Sequence, residues 1–264
     1  MSDHPVPLTA LVTGASSGIG AVYAERLAAR GYDLLLVARD RQRLEALASD
    51  LQARHGINVE VLAADLAQSN DLARVEQRLR SDGNIGVLVN NAGIALHGTL
   101  ADATAEQIDA LVALNIVALT RLASAAAAQF SSAGRGIIIN LASVVALAPE
   151  MFNAVYSASK AYVLSLTQTL QGELKDKGVQ VQAVLPGVTR TEIFERSGLD
   201  VTQIDPQMVM EVGEMVDAAL SGLDQKERVT IPSLPDVADW QAYIKARDAL
   251  GPNLSRSSSA ARYK

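Results

Sequence analysis

The chain has 264 residues, of which 49% are hydrophobic and 20% are charged, as in a globular rather than a disordered protein. Its net charge is −6 and no run is rich in Lys and Arg, which argues against a nucleic-acid partner. It contains no Cys and three scattered His, which excludes disulfides and thiolate metal sites and argues against a His-based metal site.

The N-terminal residues, MSDHPVPLTALV, lack a basic region followed by a long apolar run, so they do not resemble a signal peptide. No segment offers the roughly 18 consecutive apolar residues that a membrane span needs. We therefore expect a soluble, cytoplasmic protein with no membrane partner.

Short apolar runs alternate with longer amphipathic stretches along most of the chain, which predicts an α/β fold. The apolar runs predict seven strands, at Leu8–Thr13, Asp33–Ala38, Asn58–Ala63, Gly86–Val89, Gly136–Leu141, Val179–Leu185 and Arg228–Ile231. The other stretches predict helices that end near Arg30 and Lys177, or that span Arg41–His55, Ser69–Arg80, Ala105–Phe130, Pro206–Leu223 and Asp236–Leu250. This alternation predicts one doubly wound parallel sheet of about seven strands, with helices on both faces and right-handed crossovers.

A glycine-rich turn, Gly14-Ala15-Ser16-Ser17-Gly18-Ile19-Gly20, stands between the first strand and the first helix. Gly14 permits a tight turn, Gly18 lets a pyrophosphate approach the backbone, and Gly20 allows close helix packing. The amides and partial positive charge of the helix N-terminus then favour phosphate. A tight turn without a ligand is the alternative. We predict a Rossmann-type dinucleotide-binding and catalytic domain over 1–264, with its core at about 7–231 and a C-terminal helix and polar tail at 232–264.

Tyr156 and Lys160 are four residues apart in the first turns of a predicted helix, so their side chains share one face. A phenol with a pKa of about 10 is a poor acid or base at neutral pH, and a neighbouring ammonium should lower that pKa. The pair alone is a weak signal, since the Tyr and Lys content produces one chance match in roughly seven such chains.

The glycine turn, Asn90-Asn91-Ala92-Gly93, Ser143 and the Tyr156–Lys160 pair occur in the order and at the spacings of the short-chain dehydrogenase/reductase family. The chain strongly resembles that family over about residues 7–231. The resemblance implies that Tyr156 is the general acid/base, protonating a carbonyl oxygen as hydride reaches the carbon. Lys160 would lower the pKa of Tyr156 and hold the nicotinamide ribose, and Ser143 would hydrogen-bond the substrate oxygen.

The same resemblance gives Asn115, inside the long predicted helix, the role of connecting Lys160 to solvent through water. A tolerated polar residue is the alternative, although Asn is a poor residue for a helix interior. Family members are often tetramers built through helices near 105–130 and 153–176, so we expect a homo-oligomer, a tetramer or a dimer.

The end of the second strand bears on the choice of cofactor. NAD-preferring members carry an acid there, whereas this chain has Ala38 followed by Arg39, which can pair with a 2′-phosphate. We therefore expect NADP(H). Asp40 would cap the next helix, and Arg41 and Arg43 either assist or are simply solvated.

Other cofactor contacts follow from the resemblance. Asp65 would bind the adenine amino group, although it could instead cap the following helix. Val188 and Thr189 would contact the carboxamide, and Thr191 the pyrophosphate. The complete predicted cofactor site is Gly14, Ser16, Ser17, Gly18, Ile19, Gly20, Arg39, Asp65, Leu66, Asn91, Ala92, Gly93, Tyr156, Lys160, Pro186, Gly187, Val188, Thr189 and Thr191.

The predicted substrate lining is mainly apolar: Ala95, Leu96, Val144, Val145, Leu147, Met151, Phe152, Ile193 and Phe194. This lining favours NADPH-dependent reduction of an uncharged, moderately hydrophobic ketone or aldehyde to the alcohol. One alternative is a 3-oxoacyl reductase of lipid metabolism. Another is a non-catalytic nucleotide sensor, although such proteins usually lose a catalytic side chain and all four positions are filled here.

Overall fold

A computed structural model of the chain describes residues 8–192 and 203–264. Within these ranges the chain forms two compact units, one ending at Pro232 and the other spanning Ser233–Lys264. The first unit contains a seven-stranded parallel sheet with the order β3-β2-β1-β4-β5-β6-β7. The strands are β1 Thr9–Thr13, β2 Asp33–Ala38, β3 Val59–Ala63, β4 Ile85–Asn90, β5 Gly136–Leu141, β6 Val179–Val184 and β7 Val229–Thr230. The predicted doubly wound α/β fold is confirmed.

Helices cover both faces of this sheet. In chain order they are α1 Gly18–Ala29, α2 Arg41–His55, α3 Ser69–Ser81, α4 Ala105–Leu111, α5 Leu119–Ala133, α6 Ala154–Glu173 and α7 Val212–Asp224. A π-helix at Val112–Ala118 joins α4 to α5.

The strands are buried on both sides because successive side chains point to opposite faces. Val12 and Leu36 face a core that includes Tyr23 of α1. Leu11 and Leu35, one residue earlier in the same strands, face the other core. The order of the strands reverses between β1 and β4, and ligands in such sheets bind outside the carboxyl ends of the strands at that point.

The long helix differs from the prediction of one α-helix over Ala105–Phe130. Its middle, Val112–Ala118, is a π-helix centred on Asn115. The Asn115 side chain hydrogen-bonds the backbone of Ile94, which lies outside the helix. The π-helical turn is therefore the place where the helix makes a polar contact with a neighbouring loop, as is common for such irregular turns. The predicted long helix is confirmed, and the π-helical turn within it was not predicted.

Residues 105–133 make the one helix among those described that is long and apolar enough to cross a membrane, with a mean hydropathy of 1.7. Leu122, Ala126 and Phe130 on this helix are fully buried in the second core. It is therefore a core helix of the sheet domain.

The helix predicted over Pro206–Leu223 begins later than expected. Pro206–Met208 is one 3-10 turn, and α7 begins at Val212. Between them, the Met210 amide donates to Val188 O at 2.9 Å, and the Arg190 amide donates to Met210 O at 2.9 Å. These two bonds require extended backbone, which prevents a continuous helix.

The second unit is built from α8, Val237–Asp248, and two later 3-10 turns at Gly251–Asn253 and Ala261–Tyr263. None of its side chains is buried.

Candidate active site

A cleft of about 960 Å³ lies at the carboxyl ends of the central strands. It brings together nearly all of the predicted site residues. Those that line it are Gly14, Ser16, Ser17, Gly18, Ile19, Arg39, Asp65, Leu66, Asn91, Ala92, Gly93, Ser143, Tyr156, Lys160, Pro186, Gly187, Val188, Thr189 and Thr191. Gly20 and Asn115 do not line it.

The glycine turn forms one wall of the cleft. Gly14 and Gly18 have φ values of +65° and +55°, in the left-handed region that favours glycine. The Asn91 side-chain amide donates to Thr13 O at 2.9 Å, and the Thr13 hydroxyl accepts from the amides of Asn91 and Ala92 at 3.0 Å. These bonds fix the turn after β1 to the loop after β4.

This turn fits a dinucleotide. Helix α1 begins at Gly18, and its N-cap Ser17 makes no side-chain capping bond, so the first-turn amides have no side-chain acceptor. Ser16, Ser17 and Thr191 add hydroxyl groups to the same wall. A Cβ on Gly18 would lie 3.3 Å from Thr191 Cγ2, so only a glycine leaves this space open. Amides at a helix N-terminus and hydroxyl donors together suit a pyrophosphate.

Gly20 supports the turn from behind. A Cβ there would lie 2.3 Å from Gly14 O, a backbone atom held by the turn. We expect Gly20→Ala to lower the free energy of unfolding by about 1–3 kcal/mol through overpacking. It should also weaken NADPH binding by at least about tenfold, because the turn must shift.

Gly172→Ala is the matched control, because Gly172 is a helical glycine and a Cβ on it would meet no neighbouring atom within 4 Å. It should stabilise the protein by about 0.5–1 kcal/mol and leave NADPH binding unchanged. Denaturant unfolding and fluorescence titration measure both effects. Equal behaviour of the two variants would contradict the assigned role of Gly20.

Arg39 lines the outer end of the cleft and is exposed. Among the described residues its guanidinium has no ion-pair partner. Arg41 pairs with Glu45 at 3.4 Å, and neither residue lines the cleft. Arg39 is therefore an available cation beside the end of β2, where the neighbouring Ala38 contributes no carboxylate.

The Arg43 guanidinium forms ion pairs with two carboxylates and is not simply solvated. It bonds Glu192 at 3.0 and 3.1 Å and lies 3.5 Å from Asp40. Asp40 also accepts from the Arg43 amide at 3.0 Å, which confirms that it caps α2. Glu192 lines the cleft and was not anticipated from the sequence.

Asp65 lies in the cleft wall but does not cap α3. Its Oδ1 accepts from the Ala67 amide at 3.0 Å, whereas the N-cap position of α3 is Gln68. The capping alternative is therefore wrong, and adenine recognition by Asp65 stays a prediction.

Tyr156 and Lys160 share one face of α6, as predicted, with the Lys160 ammonium 5.5 Å from the centre of the phenol ring. The ammonium donates to Leu141 O at 2.8 Å. Burial raises the pKa of Tyr156 to about 12, and a hydrogen bond with Ser143 partly opposes this increase. Burial also lowers the pKa of Lys160 to about 8.

The pKa of Tyr156 thus lies above its ordinary value, and the lowering of that pKa by Lys160 stays a prediction. The physical reason for both shifts is loss of hydration on burial, which disfavours the phenolate of Tyr156 and the ammonium of Lys160. Ser143, which also donates to Pro186 O at 3.4 Å, is the group that lowers the pKa of Tyr156.

Asn115 is buried behind the cleft with its side chain fully engaged. Its amide nitrogen donates to Ile94 O at 2.9 Å and to the Ser159 hydroxyl at 3.3 Å, and its oxygen accepts from the Ile94 amide at 2.9 Å. Ser159 in turn donates to Tyr156 O at 2.7 Å. The side chain therefore ties the loop after β4 to the helix of Tyr156, and its role in a water path stays a prediction.

Asn153 is a positioning residue that was not predicted from the sequence. Its side-chain oxygen accepts from the backbone amides of Val155 and Tyr156 at 3.0 and 3.2 Å. Asn153 therefore caps the N-terminus of α6 and fixes the backbone of Tyr156 itself. Its side-chain nitrogen donates to Gly98 O at 2.7 Å. An Asn at the start of a predicted helix is a recognised capping signal and could have identified it.

The inner end of the cleft is apolar. Ala95, Val144, Val145, Met151 and Phe152 line it as predicted, and Ile94, Ala110 and Leu114 line it as well. The Phe152 ring lies edge-on to Tyr156, with centroids 5.2 Å apart.

Some predicted lining residues lie elsewhere. Leu96 and Leu147 do not line the cleft. Ile193 and Phe194 lie outside the described residues.

Residues 8–201 match the family model of short chain dehydrogenases. An uncharacterized oxidoreductase of Staphylococcus epidermidis is 34% identical over 223 residues, which are 84% of this chain and 93% of that protein. A very-long-chain 3-oxoacyl-CoA reductase of Anas platyrhynchos is 32% identical over 71% of this chain and 62% of its own length.

Two solved structures are closer in sequence. A short-chain dehydrogenase from Sphingobium yanoikuyae in complex with NADPH has a TM-score of 0.95 and 53% identity, over 97% of this chain and 100% of that chain. A bulky-bulky ketone specific alcohol dehydrogenase from Comamonas testosteroni has a TM-score of 0.90 and 48% identity, over 98% of this chain and 99% of that chain.

Proposed function

The chain belongs to the short-chain dehydrogenase/reductase family, and from that premise we propose that it reduces an uncharged, hydrophobic ketone to the alcohol with NADPH. One observation carries the proposal: a single cleft joins the glycine turn and Arg39 at one end to Ser143, Tyr156 and Lys160 at the other. A dinucleotide laid along that cleft would extend from the cation toward the phenol.

The bound cofactor would supply the hydride that reaches the carbonyl carbon. The chain's own residues would bind and protonate the carbonyl oxygen. Ser143 would orient it by a hydrogen bond, and Tyr156 would donate its phenolic proton as charge develops there. With a pKa of about 12, the phenol is protonated at neutral pH and is still far more acidic than an alcohol. Lys160 would stabilise the phenolate left behind.

NADPH is favoured over NADH by charge. The 2′-phosphate of NADPH would meet the Arg39 guanidinium, which has no ion-pair partner among the described residues. At the end of β2, Ala38 supplies no carboxylate to bind a ribose diol or repel the phosphate. The NADPH complex of the Sphingobium yanoikuyae enzyme supports the same preference.

The proposed substrate is a ketone with bulk on both sides of its carbonyl. The inner end of the cleft is lined by Ile94, Val144, Val145, Met151 and Phe152, which favours apolar substituents. The ketone specificity of the Comamonas testosteroni enzyme supports this class. The rival class, 3-oxoacyl thioesters, is supported by the Anas platyrhynchos relative. Its anionic carriers would find no cation among the described residues lining the inner end except Lys160.

The proposal includes a soluble, cytoplasmic homo-oligomer, a tetramer or a dimer. The core position of the 105–133 helix supports solubility.

The test compares kcat/KM for an aryl butyl ketone and a 3-oxoacyl-CoA, each with NADPH and with NADH. We expect the ketone with NADPH to be the best combination. Arg39→Ala should lower kcat/KM for NADPH by about 10- to 100-fold, as loss of a charged hydrogen bond does, and leave that for NADH nearly unchanged. Arg41→Ala, whose residue lies outside the cleft, is the matched control.

A preference for the 3-oxoacyl-CoA would overturn the substrate class. Equal losses with both cofactors in Arg39→Ala would overturn the cofactor argument. NADPH binding without turnover of any carbonyl compound would favour the non-catalytic alternative.

A further inference from the structure

An ion pair joins two segments of the chain at the outer end of the cleft. Arg43 lies in the first turn of α2, whose N-cap Asp40 directly follows Arg39. Glu192 lines the cleft beside Thr191, which lies against the glycine turn. Arg43 Nη1 is 3.1 and 3.0 Å from the two carboxylate oxygens of Glu192, 149 positions later in the chain. The pair therefore links the region after β2 to the segment after β6.

The segment that carries Glu192 is held at a second place as well. The Met210 amide donates to Val188 O and the Arg190 amide donates to Met210 O, each at 2.9 Å. Glu192 lies two residues beyond the second of these bonds, and its carboxylate reaches α2 through Arg43. The segment after β6 is thus attached both to Met210 and to the start of α2.

The position of Arg43 also bears on the charge of the cleft. Three carboxylates line the cleft, those of Asp40, Asp65 and Glu192. Carboxylates without cations nearby would repel the phosphates of a dinucleotide. Arg43 does not line the cleft itself, but it lies 3.5 Å from Asp40 and 3.0 Å from Glu192. Its charge therefore offsets two of the three carboxylates from outside the cleft.

We propose that the ion pair of Arg43 and Glu192, which we call the clasp, retains the bound dinucleotide by holding together the two segments at the outer end of the cleft. Both are positioning residues for the cofactor, and the clasp must open before the cofactor leaves. The inference rests on the proposed function, because NADPH is the ligand that would be retained. Arg39 would meet the 2′-phosphate, whereas Arg43 holds carboxylates, so the clasp would act equally on NADPH and NADH.

The clasp is half exposed, with 49% of the Arg43 side chain and 40% of the Glu192 side chain accessible to solvent. Water and salt therefore reach it, and exposed ion pairs contribute modest energies. We expect an effect on the rate of cofactor release that is small but measurable, and that disappears at high salt.

The test is stopped-flow fluorescence of NADPH and of NADH leaving the full-length protein after mixing with excess oxidised cofactor. Glu192→Gln keeps the shape of the side chain and removes its charge, so release of both cofactors should be about two- to fivefold faster. Glu211→Gln is the matched control, because it breaks the 2.7 Å pair of Arg190 with Glu211, two residues that do not line the cleft. It should release both cofactors at the wild-type rate.

A double variant separates the clasp from direct binding of phosphate by Arg43. Once Glu192 is neutral, Arg43 has lost its partner across the clasp, so Arg43→Gln/Glu192→Gln should release NADPH no faster than Glu192→Gln. The ratio of the Glu192→Gln rate to the wild-type rate should also fall toward one as NaCl is raised.

Four results would overturn the clasp alone: unchanged release from Glu192→Gln, slower release of NADPH from it, a ratio that does not depend on salt, or a double variant that loses NADPH faster than Glu192→Gln. Slower release would mean that the Glu192 carboxylate acts mainly by repelling the phosphate. A faster double variant would mean that Arg43 binds the phosphate itself. Failure of wild type to bind either cofactor would overturn the clasp and the proposed function together.

Discussion

Replacing Tyr156 with Phe is expected to lower kcat for ketone reduction by about 10³-fold or more. The variant keeps the ring, its edge-on contact with Phe152 and the helix cap at Asn153, and it removes the hydroxyl that we propose as the proton donor. NADPH affinity should change by less than about threefold, because the glycine turn and Arg39 are untouched. Steady-state kinetics and fluorescence titration measure the two quantities separately.

Tyr162→Phe is the matched control for this substitution. Tyr162 lies on the same helix, is 38% exposed and bonds the Thr120 hydroxyl at 2.9 Å, away from the cleft. It should retain near wild-type kcat. Substantial ketone reduction by Tyr156→Phe would show that another group donates the proton.

Replacing Lys160 with Met is the second large effect, with an expected loss of about 100-fold or more in kcat/KM. Without the ammonium, the phenolate formed at Tyr156 would lose the neighbouring positive charge that stabilises it. The free energy of unfolding of Lys160→Met should equal or exceed that of wild type, because burial disfavours the charged form of Lys160.

The pH dependence of the free energy of unfolding tests whether the Lys160 ammonium is buried in the folded protein. The pKa of Lys160 is lowered from 10.5 to about 8, so between these values the unfolded chain binds more protons than the folded one. The contribution of Lys160 to the free energy of unfolding must then rise with pH between about 8 and 10.5. In the difference between wild type and Lys160→Met, measured by denaturant unfolding from pH 7.5 to 10, wild type should gain stability relative to the variant. A flat or opposite difference would contradict the buried ammonium.

Much of the fold was predictable from local signals. The strands Asp33–Ala38 and Gly136–Leu141 and the helix Arg41–His55 have the bounds expected from their sequences. Each has a strong physical cause: a continuous apolar run in a buried parallel strand, or an Asp cap at one end and a left-handed glycine at the other. The glycine turn was equally clear because backbone constraints leave few alternatives.

What was missed depends on contacts between distant residues. The π-helix lies where Asn115 bonds the backbone of Ile94, and α7 begins only after the pairing of Met210 with Val188 and Arg190. The pKa of Tyr156 depends on how deeply the fold buries the phenol and ammonium together. The spacing of Tyr156 and Lys160 predicted that the two side chains lie close together, but it could not show how deeply the fold buries them.

The most direct test of the proposed reaction is the fate of the label from NADPH deuterated at the transferable C4 position. Incubated with an aryl butyl ketone, wild type should yield an alcohol with one deuterium on its carbinol carbon, and Tyr156→Phe should yield almost none. Absence of the alcohol, or an alcohol without deuterium, would contradict ketone reduction by hydride transfer in this cleft.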